Sequence, residues 1–218
     1  MRLRGIKFSD IHTGDDWKLT LNEITLDPPE PKTYFVSVDG RNGDVDMSEA
    51  LNGEIKYNNR EAHFKFIMID GTREERVALM DEIIQKLHGR KIEVILPDDQ
   101  THYIVGRWSV LNVVATASHT EFEIDGNCEP WKYATIENVR REDVTSERRE
   151  VVYVNNGRKT LIPEITVTGT VNLEFGDNKS TLSDGTYKLL NLKLVTGNNL
   201  ITVYGNGSLT LKYREAIL

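Results

Sequence analysis

The sequence predicts a mainly β protein of two domains with one helix. Three observations carry this reading. Short apolar–polar alternations recur along the 218 residues, and clusters rich in Gly, Asn and Asp separate them. One stretch, residues 72–88, breaks the alternation with helical spacing. Residues 136–150 (IENVRREDVTSERRE) then shift to dense, nearly balanced charge with few large apolar side chains. This shift reads as a connection or an exposed strand edge and divides the chain into domains at 1–133 and 134–218.

In the first domain, residues 3–8 and 17–26 alternate as strands do. Residues 33–47 predict a hairpin, with Tyr34, Val36 and Val38 on one face, Val45 and Met47 on the return, and Gly40 and Gly43 free to take positive φ in the turn. Ala62–Ile69 is a strong strand with His63, Lys65 and Ile67 on one face and Phe64, Phe66 and Met68 on the other. Thr72 and Glu75 fit a capping box. Val77, Met80, Ile83, Ile84 and Leu87 follow as one apolar stripe, Glu82 and Lys86 pair four apart, and Gly89 offers a left-handed stop. Lys91–Leu96 and residues 101–108 are strands about a Pro97–Gln100 turn, and 109–125 hold further strand.

The second domain reads as short strands at Val151–Val154, Glu164–Val171, Asn172–Phe175, Tyr187–Val195, Leu200–Tyr204 and Leu209–Tyr213. The turn clusters include Asn155-Asn156-Gly157 and Gly205-Asn206-Gly207. That spacing indicates an antiparallel β-sandwich.

Composition excludes several classes. The net charge of −7, without a long basic run, is unsuited to nonspecific nucleic-acid binding. No run approaches the roughly 18 apolar residues that span a bilayer, so no membrane insertion is expected. The opening Met-Arg-Leu-Arg-Gly-Ile lacks the apolar stretch of a secretory signal, and a lone Cys128 forms no intrachain disulfide. Both features point to synthesis in a reducing cytosol.

Catalytic chemistry is not visible. His12, His63, His88, His102 and His119 are scattered without metal-binding spacing. Asp15-Asp16, Asp44-x-Asp46 and Asp98-Asp99 lack the ligand spacing of a calcium loop and read as turn carboxylates. Cys128 would need a base nearby in space to act as a nucleophile. Asn178-Lys-Ser and Asn206-Gly-Ser read as turn asparagines. No enzyme, catalytic residue, metal or cofactor is expected. Among the second-domain aromatics, Tyr187 and Tyr204 are the candidates for a sugar-stacking platform, which would make the chain a carbohydrate-binding or adhesion protein. Alternating strand aromatics are more often core or cross-strand pairs.

The stretch Pro28–Leu51 carries a resemblance. Pro31-Lys32-Thr33, Gly40-Arg41-Asn42-Gly43, Asp46 and Glu49-Ala50-Leu51 resemble the "PEPK…PGRxGxLDLTEAL" pattern of the distal tail protein family of long-tailed phages. Gly5-Ile6-Lys7-Phe8, Trp17-Lys18-Leu19 and Leu209–Arg214 fit the same family, while Asp39 stands where the family more often has proline. The resemblance implies an N-terminal β-sandwich-like belt domain with one helix and a hairpin, followed by a galectin-like β-sandwich. It implies a homohexameric ring at the tip of a long non-contractile tail, joining the tail tube protein to the baseplate or tip fibre, with DNA passing through the bore unbound. The protein would be made in the bacterial cytoplasm and reside in the virion. Pro31, Lys32, Gly40, Arg41, Gly43, Asp46 and Glu49 are the residues it assigns to structure or assembly. The second domain is too short to hold an inserted carbohydrate-binding module.

Overall fold

The structure, a computed structural model, describes residues 4–50 and 53–218. Leu3 and Leu51, which the sequence reading places in a strand and in the family pattern, lie outside the described residues. The chain forms two compact units, residues 1–132 with Leu218, and residues 133–217.

The first unit opens with β1 (Lys7–Phe8), β2 (Ile11–His12) and β3 (Thr20–Leu26). Four two-residue strands follow: β4 (Pro31–Lys32), β5 (Phe35–Val36), β6 (Val45–Asp46) and β7 (Lys56–Tyr57). Then come β8 (Arg60–Met68), α1 (Arg73–Leu87), β9 (Lys91–Leu96), β10 (Asp99–Ala115) and β11 (Thr120–Ala134). The main sheet has the order β2-β1-β9-β10-β11-β8-β3.

β8 behaves as its alternation dictates. Phe64, Phe66 and Met68 are buried, and His63, Lys65 and Ile67 turn to the other face. Phe66 stacks on Phe122 of β11 at 5.5 Å. Phe64 stacks on Trp108 of β10 at 5.3 Å, and Phe8 meets the same indole edge-on at 5.2 Å. Full burial of one such side chain contributes about 2–3 kcal/mol. Gly126 of β11 and Ala62 of β8 lie side by side in the ladder, and a Cβ on Gly126 would come within 2.3 Å of the Trp108 ring. The missing side chain of Gly126 makes the space that the indole occupies.

Helix α1 starts at the expected box. Glu75 donates its amide to Thr72 Oγ1 at 3.2 Å, and Thr72 donates its own to Glu75 Oε2 at 2.7 Å. Gly89 takes φ +73° after the last turn. The buried stripe is Arg76, Met80, Ile83 and Leu87, not the five apolar residues of the sequence reading. Val77 and Ile84 are exposed at its margin, and Arg76 takes the inward place because its guanidinium meets carbonyls there. Arg76 Nη1 donates to Gly71 O at 2.7 Å, and Nη2 donates to Thr116 O and Ala117 O at 3.2 and 2.9 Å.

Other expectations are corrected. The strand at 17–26 begins only at Thr20, and Trp17 and Leu19 enter the core from a loop. The strand at 3–8 is reduced, among described residues, to β1. The hairpin at 33–47 pairs, among the described residues, only Phe35 with Asp46 and Val36 with Val45, and Tyr34, Phe35, Val38 and Met47 stay exposed.

The buried thiol of Cys128 faces the Gly106 backbone, where a Cβ would sit 2.5 Å from Sγ. Burial pushes this thiol up to about 12, despite the attraction of nearby Arg60. Native protein is therefore expected to resist a thiol-disulfide reagent at mildly alkaline pH and to react at once in denaturant. Fast labelling of the native protein would contradict this burial.

The second unit contains β12 (Asn138–Val144), β13 (Arg149–Asn155), β14 (Glu164–Phe175), β15 (Asn178–Leu182), β16 (Gly185–Tyr187) and β17 (Gly197–Tyr213). β14 and β17 pair along eleven positions, Glu164↔Lys212 to Glu174↔Thr202. β12 and β13 pair with successive halves of β17, and β15 and β16 with successive halves of β14. The charged stretch 136–150 is thus largely strand, its arginines and acids lying along the end of the sheet. The two strands read at Glu164–Val171 and Asn172–Phe175 are one. Tyr187–Val195 keeps only Tyr187 in a strand, and Leu194 makes an isolated bridge to Leu161. Gly205-Asn206-Gly207 is not a turn but the middle of β17. A Cβ on Gly207 would lie 2.0 Å from Thr168 O, so these glycines permit close backbone approach rather than reversal.

Candidate functional site

Between β3 and β8, residues 28–50 and 53–59 leave the sheet as an arm. Its feet are locked. Asp27 donates its amide to Glu61 O at 3.0 Å, Arg60 Nε donates to Asp27 O at 2.9 Å, and Asn58 N donates to Glu30 O at 2.8 Å. Arg60 is 5% exposed, and burial lowers its guanidinium pKa from the ordinary value. Pro31↔Tyr57 and Lys32↔Lys56 form the proximal ladder, and Tyr57 meets Trp131 edge-on at 5.7 Å.

The distal ladder, β5 with β6, is held by local bonds. Tyr34 N donates to Ser48 Oγ and Met47 N to Tyr34 O, both at 2.8 Å. Ser48 N donates to Asp46 Oδ1 at 2.9 Å, and Ser48 holds the Asp46 carboxyl below its ordinary value. Gly40 and Gly43 take φ +79° and +76° at the apex, where no heavy atom would meet an added Cβ within 4 Å.

The sequence-assigned residues thus all lie on one arm. Pro31 and Lys32 sit in the proximal ladder, Gly40, Arg41 and Gly43 at the apex, and Asp46 in the distal ladder; Glu49 occupies the turn after it. They are spread along the length of the arm. The arm instead exposes apolar side chains: Tyr34 64%, Phe35 54%, Val38 46% and Met47 41%. Exposed apolar groups beside short, open ladder edges suit protein–protein contact.

A second feature is electrostatic. The first unit holds sixteen Lys and Arg against twenty-four Asp and Glu, whereas the second holds eleven against ten. Several acids line the sheet face turned away from the core. Glu23, Lys65 and Glu123 lie in one cross-strand row, and Thr25, His63 and Asp125 in the next. Lys65 pairs with Glu23 at 3.0 Å and holds that carboxyl below its ordinary value. His63 Nδ1 bonds Asp125, and its Nε2 lies 3.8 Å from Glu123. A cavity of about 550 Å³ opens on this face, lined in part by Thr25, Glu61, His63, Arg107, Ser109 and Asp125. Among the described residues no group of three or more His, Cys, Asp or Glu side chains could hold a metal ion, and no helix is long and apolar enough to cross a membrane.

The candidate sugar platform is not assembled. Tyr187 pairs with buried Ile165, and Tyr204 with outward-facing Asn172, so the two rings lie on opposite faces of the sheet. The Arg148 guanidinium covers the Tyr204 ring at 4.9 Å, and the Tyr204 hydroxyl donates to Glu174 at 3.2 Å.

No family model and no curated protein matches this chain. Among solved structures, it is similar to the Dit protein of phage SPP1, described as a paradigm of the hub adsorption apparatus in phages infecting Gram-positive bacteria. That likeness has a TM-score of 0.70 at 13% identity over 97% of this chain and 99% of that one. A chain of the activated phage p2 baseplate, solved with Sr, aligns with a TM-score of 0.48 and 9% identity over 97% and 98%. The mainly β architecture, its one helix and the SPP1 likeness along nearly the whole length agree: the chain has the fold of the distal tail protein Dit.

Proposed function

We propose that this chain is a structural protein of a long non-contractile phage tail, forming a hexameric ring at the distal tip that joins the tail tube to the baseplate or tip fibre. The observation that carries the reading is the arm at residues 28–50 and 53–59, a ribbon with locked feet and uncovered aromatic side chains. The shared fold supports it. In this reading the first unit is the belt that closes the ring, and the second is a galectin-like sandwich without sugar affinity. The arm and the β9–β10 hairpin supply head-to-tail contacts to the next copy, since a heterologous contact closes into a ring when its rotation permits. The acidic sheet face lines the bore, where carboxylates repel DNA and let it pass without sticking. The protein acts in the virion, and its work is positional rather than catalytic.

The test is association. The combined variant Tyr34→Ser, Phe35→Ser, Met47→Ser should fold normally but weaken subunit association by roughly thirtyfold or more, the effect of losing about 2 kcal/mol at one buried aromatic anchor. Sedimentation velocity across a concentration series, alone and with tail tube protein, reads this. Ring formation undiminished in the variant would remove the arm from the interface, and a chain that never forms rings would remove the function. An imaged ring whose bore is neutral or basic would refute the placing of the acidic face.

A further inference from the structure

We propose that Asn42–Gly43, at the arm apex, is a site of spontaneous self-modification in the free protein. The Gly43 main-chain nitrogen, having given its proton to solvent, attacks the Asn42 side-chain carbonyl carbon. The new C–N bond closes a five-membered imide, the Cγ–Nδ2 bond breaks, and the amide nitrogen leaves as ammonia. Water then adds to one of the two imide carbonyls. Opening on one side leaves an aspartyl residue, and opening on the other an isoaspartyl linkage. No oxidant or reductant takes part.

The geometry separates this pair from the other Asn-Gly pairs among the described residues. At the apex, Asn42 and Gly43 are exposed, and neither makes a hydrogen bond to another described residue. Gly43 has φ +76° with open space around it, and the nearest ladder pair is Val36↔Val45. Nucleophile and carbonyl can therefore sample the approach the ring closure needs. At Asn156–Gly157 both partners are engaged. The Gly157 amide donates to Asn155 Oδ1 at 3.0 Å, Asn156 Nδ2 donates to Glu215 at 3.1 Å, and an added Cβ on Gly157 would sit 2.6 Å from Ala216 O. At Asn206–Gly207 the backbone is embedded in β17, with Asn206 paired to Thr170, and Gly207 to Gly169 on one side and Val144 on the other. These two pairs react only after local opening, which lowers their rate by the fraction of time spent open.

The consequence is a change in the arm with age. Each event places one more carboxylate between Asp39 and Asp44, and the isoaspartyl form lengthens the main chain by a methylene next to the β5–β6 ladder. The inference stands on the apex geometry alone and does not depend on ring assembly.

The experiment holds the full chain in mildly alkaline buffer over days and maps peptides by mass spectrometry, with isoaspartyl methyltransferase as a second readout. Asn42 should convert at least about tenfold faster than Asn156 and Asn206, given the opening those two require. Asn42→Gln should remove that signal, because Gln would have to close a larger ring, and it should leave the unfolding midpoint unchanged. Gly43→Ala should slow conversion, because the added methyl crowds the attacking nitrogen. Equal rates at the three positions, or an intact Asn42 while Asn156 or Asn206 converts, would overturn the assignment. Asn52 lies outside the described residues and its peptide is scored separately.

Discussion

Gly126→Ala is expected to destabilise the first unit by about 3 kcal/mol, at the upper end of what overpacking a core usually costs. The added methyl would start 2.3 Å from a Trp108 ring atom. That ring cannot swing away. It is fully buried, stacked on Phe64, met edge-on by Phe8, and tied by Nε1–H to Ile92 O at 3.1 Å. The strand would have to move instead, and Gly126 is in register with Ala62 on the neighbouring strand. A urea melt followed by Trp fluorescence measures the loss. The cause is checked by a double-mutant cycle with Trp108→Leu, in which Gly126→Ala should lose most of its cost because the obstructing ring is gone. A Gly126→Ala protein as stable as the parent would show that the indole does not fill this space.

Arg76→Ala should cost a similar amount, about 3–4 kcal/mol, in the range seen when one member of a buried charged network is removed. Arg76 is 3% exposed and satisfies three carbonyls: Gly71 before the helix, and Thr116 and Ala117 in the β10–β11 turn. Its loss leaves those carbonyls without their donor and unties the helix start from the hairpin tip. Arg76→Lys should recover less than half, because an ammonium cannot reproduce the planar fork that reaches three acceptors. Hydrogen exchange gives a specific readout, with protection falling first around residues 70–76 and 114–120. Uniform loss across the sheet, or none, would contradict a local pin.

Arg76 also shows where sequence reading meets its limit. A cation in the first turn opposes the helix dipole, and its neighbours Glu74 and Glu75 suit that turn better. Nothing in the local pattern turns Arg76 inward. The capping box of Thr72 and Glu75, by contrast, was legible because both partners lie within four residues of each other. The extent of the helix and the faces of β8 were legible for the same reason: they are local periodicities. Val77 and Ile84 sit on the apolar arc, but a helix resting on a sheet buries only part of that arc, and the sheet selects which part.

Glycine serves two opposite purposes in this chain, reversal and close approach. Gly205 and Gly207 carry the composition of a turn, yet they lie in a continuous strand because β14 comes too close there for any side chain. The arm divides in the same way. Its reversal at Gly40–Gly43 was legible from turn chemistry. That Tyr34 and Phe35, on its two faces, both stay exposed was not, since they read like any half-buried strand residues until the surrounding sheet is known.

The sequence by itself therefore determined the elements whose signals are short in range: the β8 faces, the capped helix and the reversal in the arm. The tertiary structure alone decided which of those faces are covered. It placed Arg76 and Gly126 in the core, left the arm bare, and set Tyr187 and Tyr204 on opposite sides of a sheet. The physical reason is that burial, and with it the sign of every polar or apolar contribution, depends on chain segments tens of residues away that no local pattern encodes.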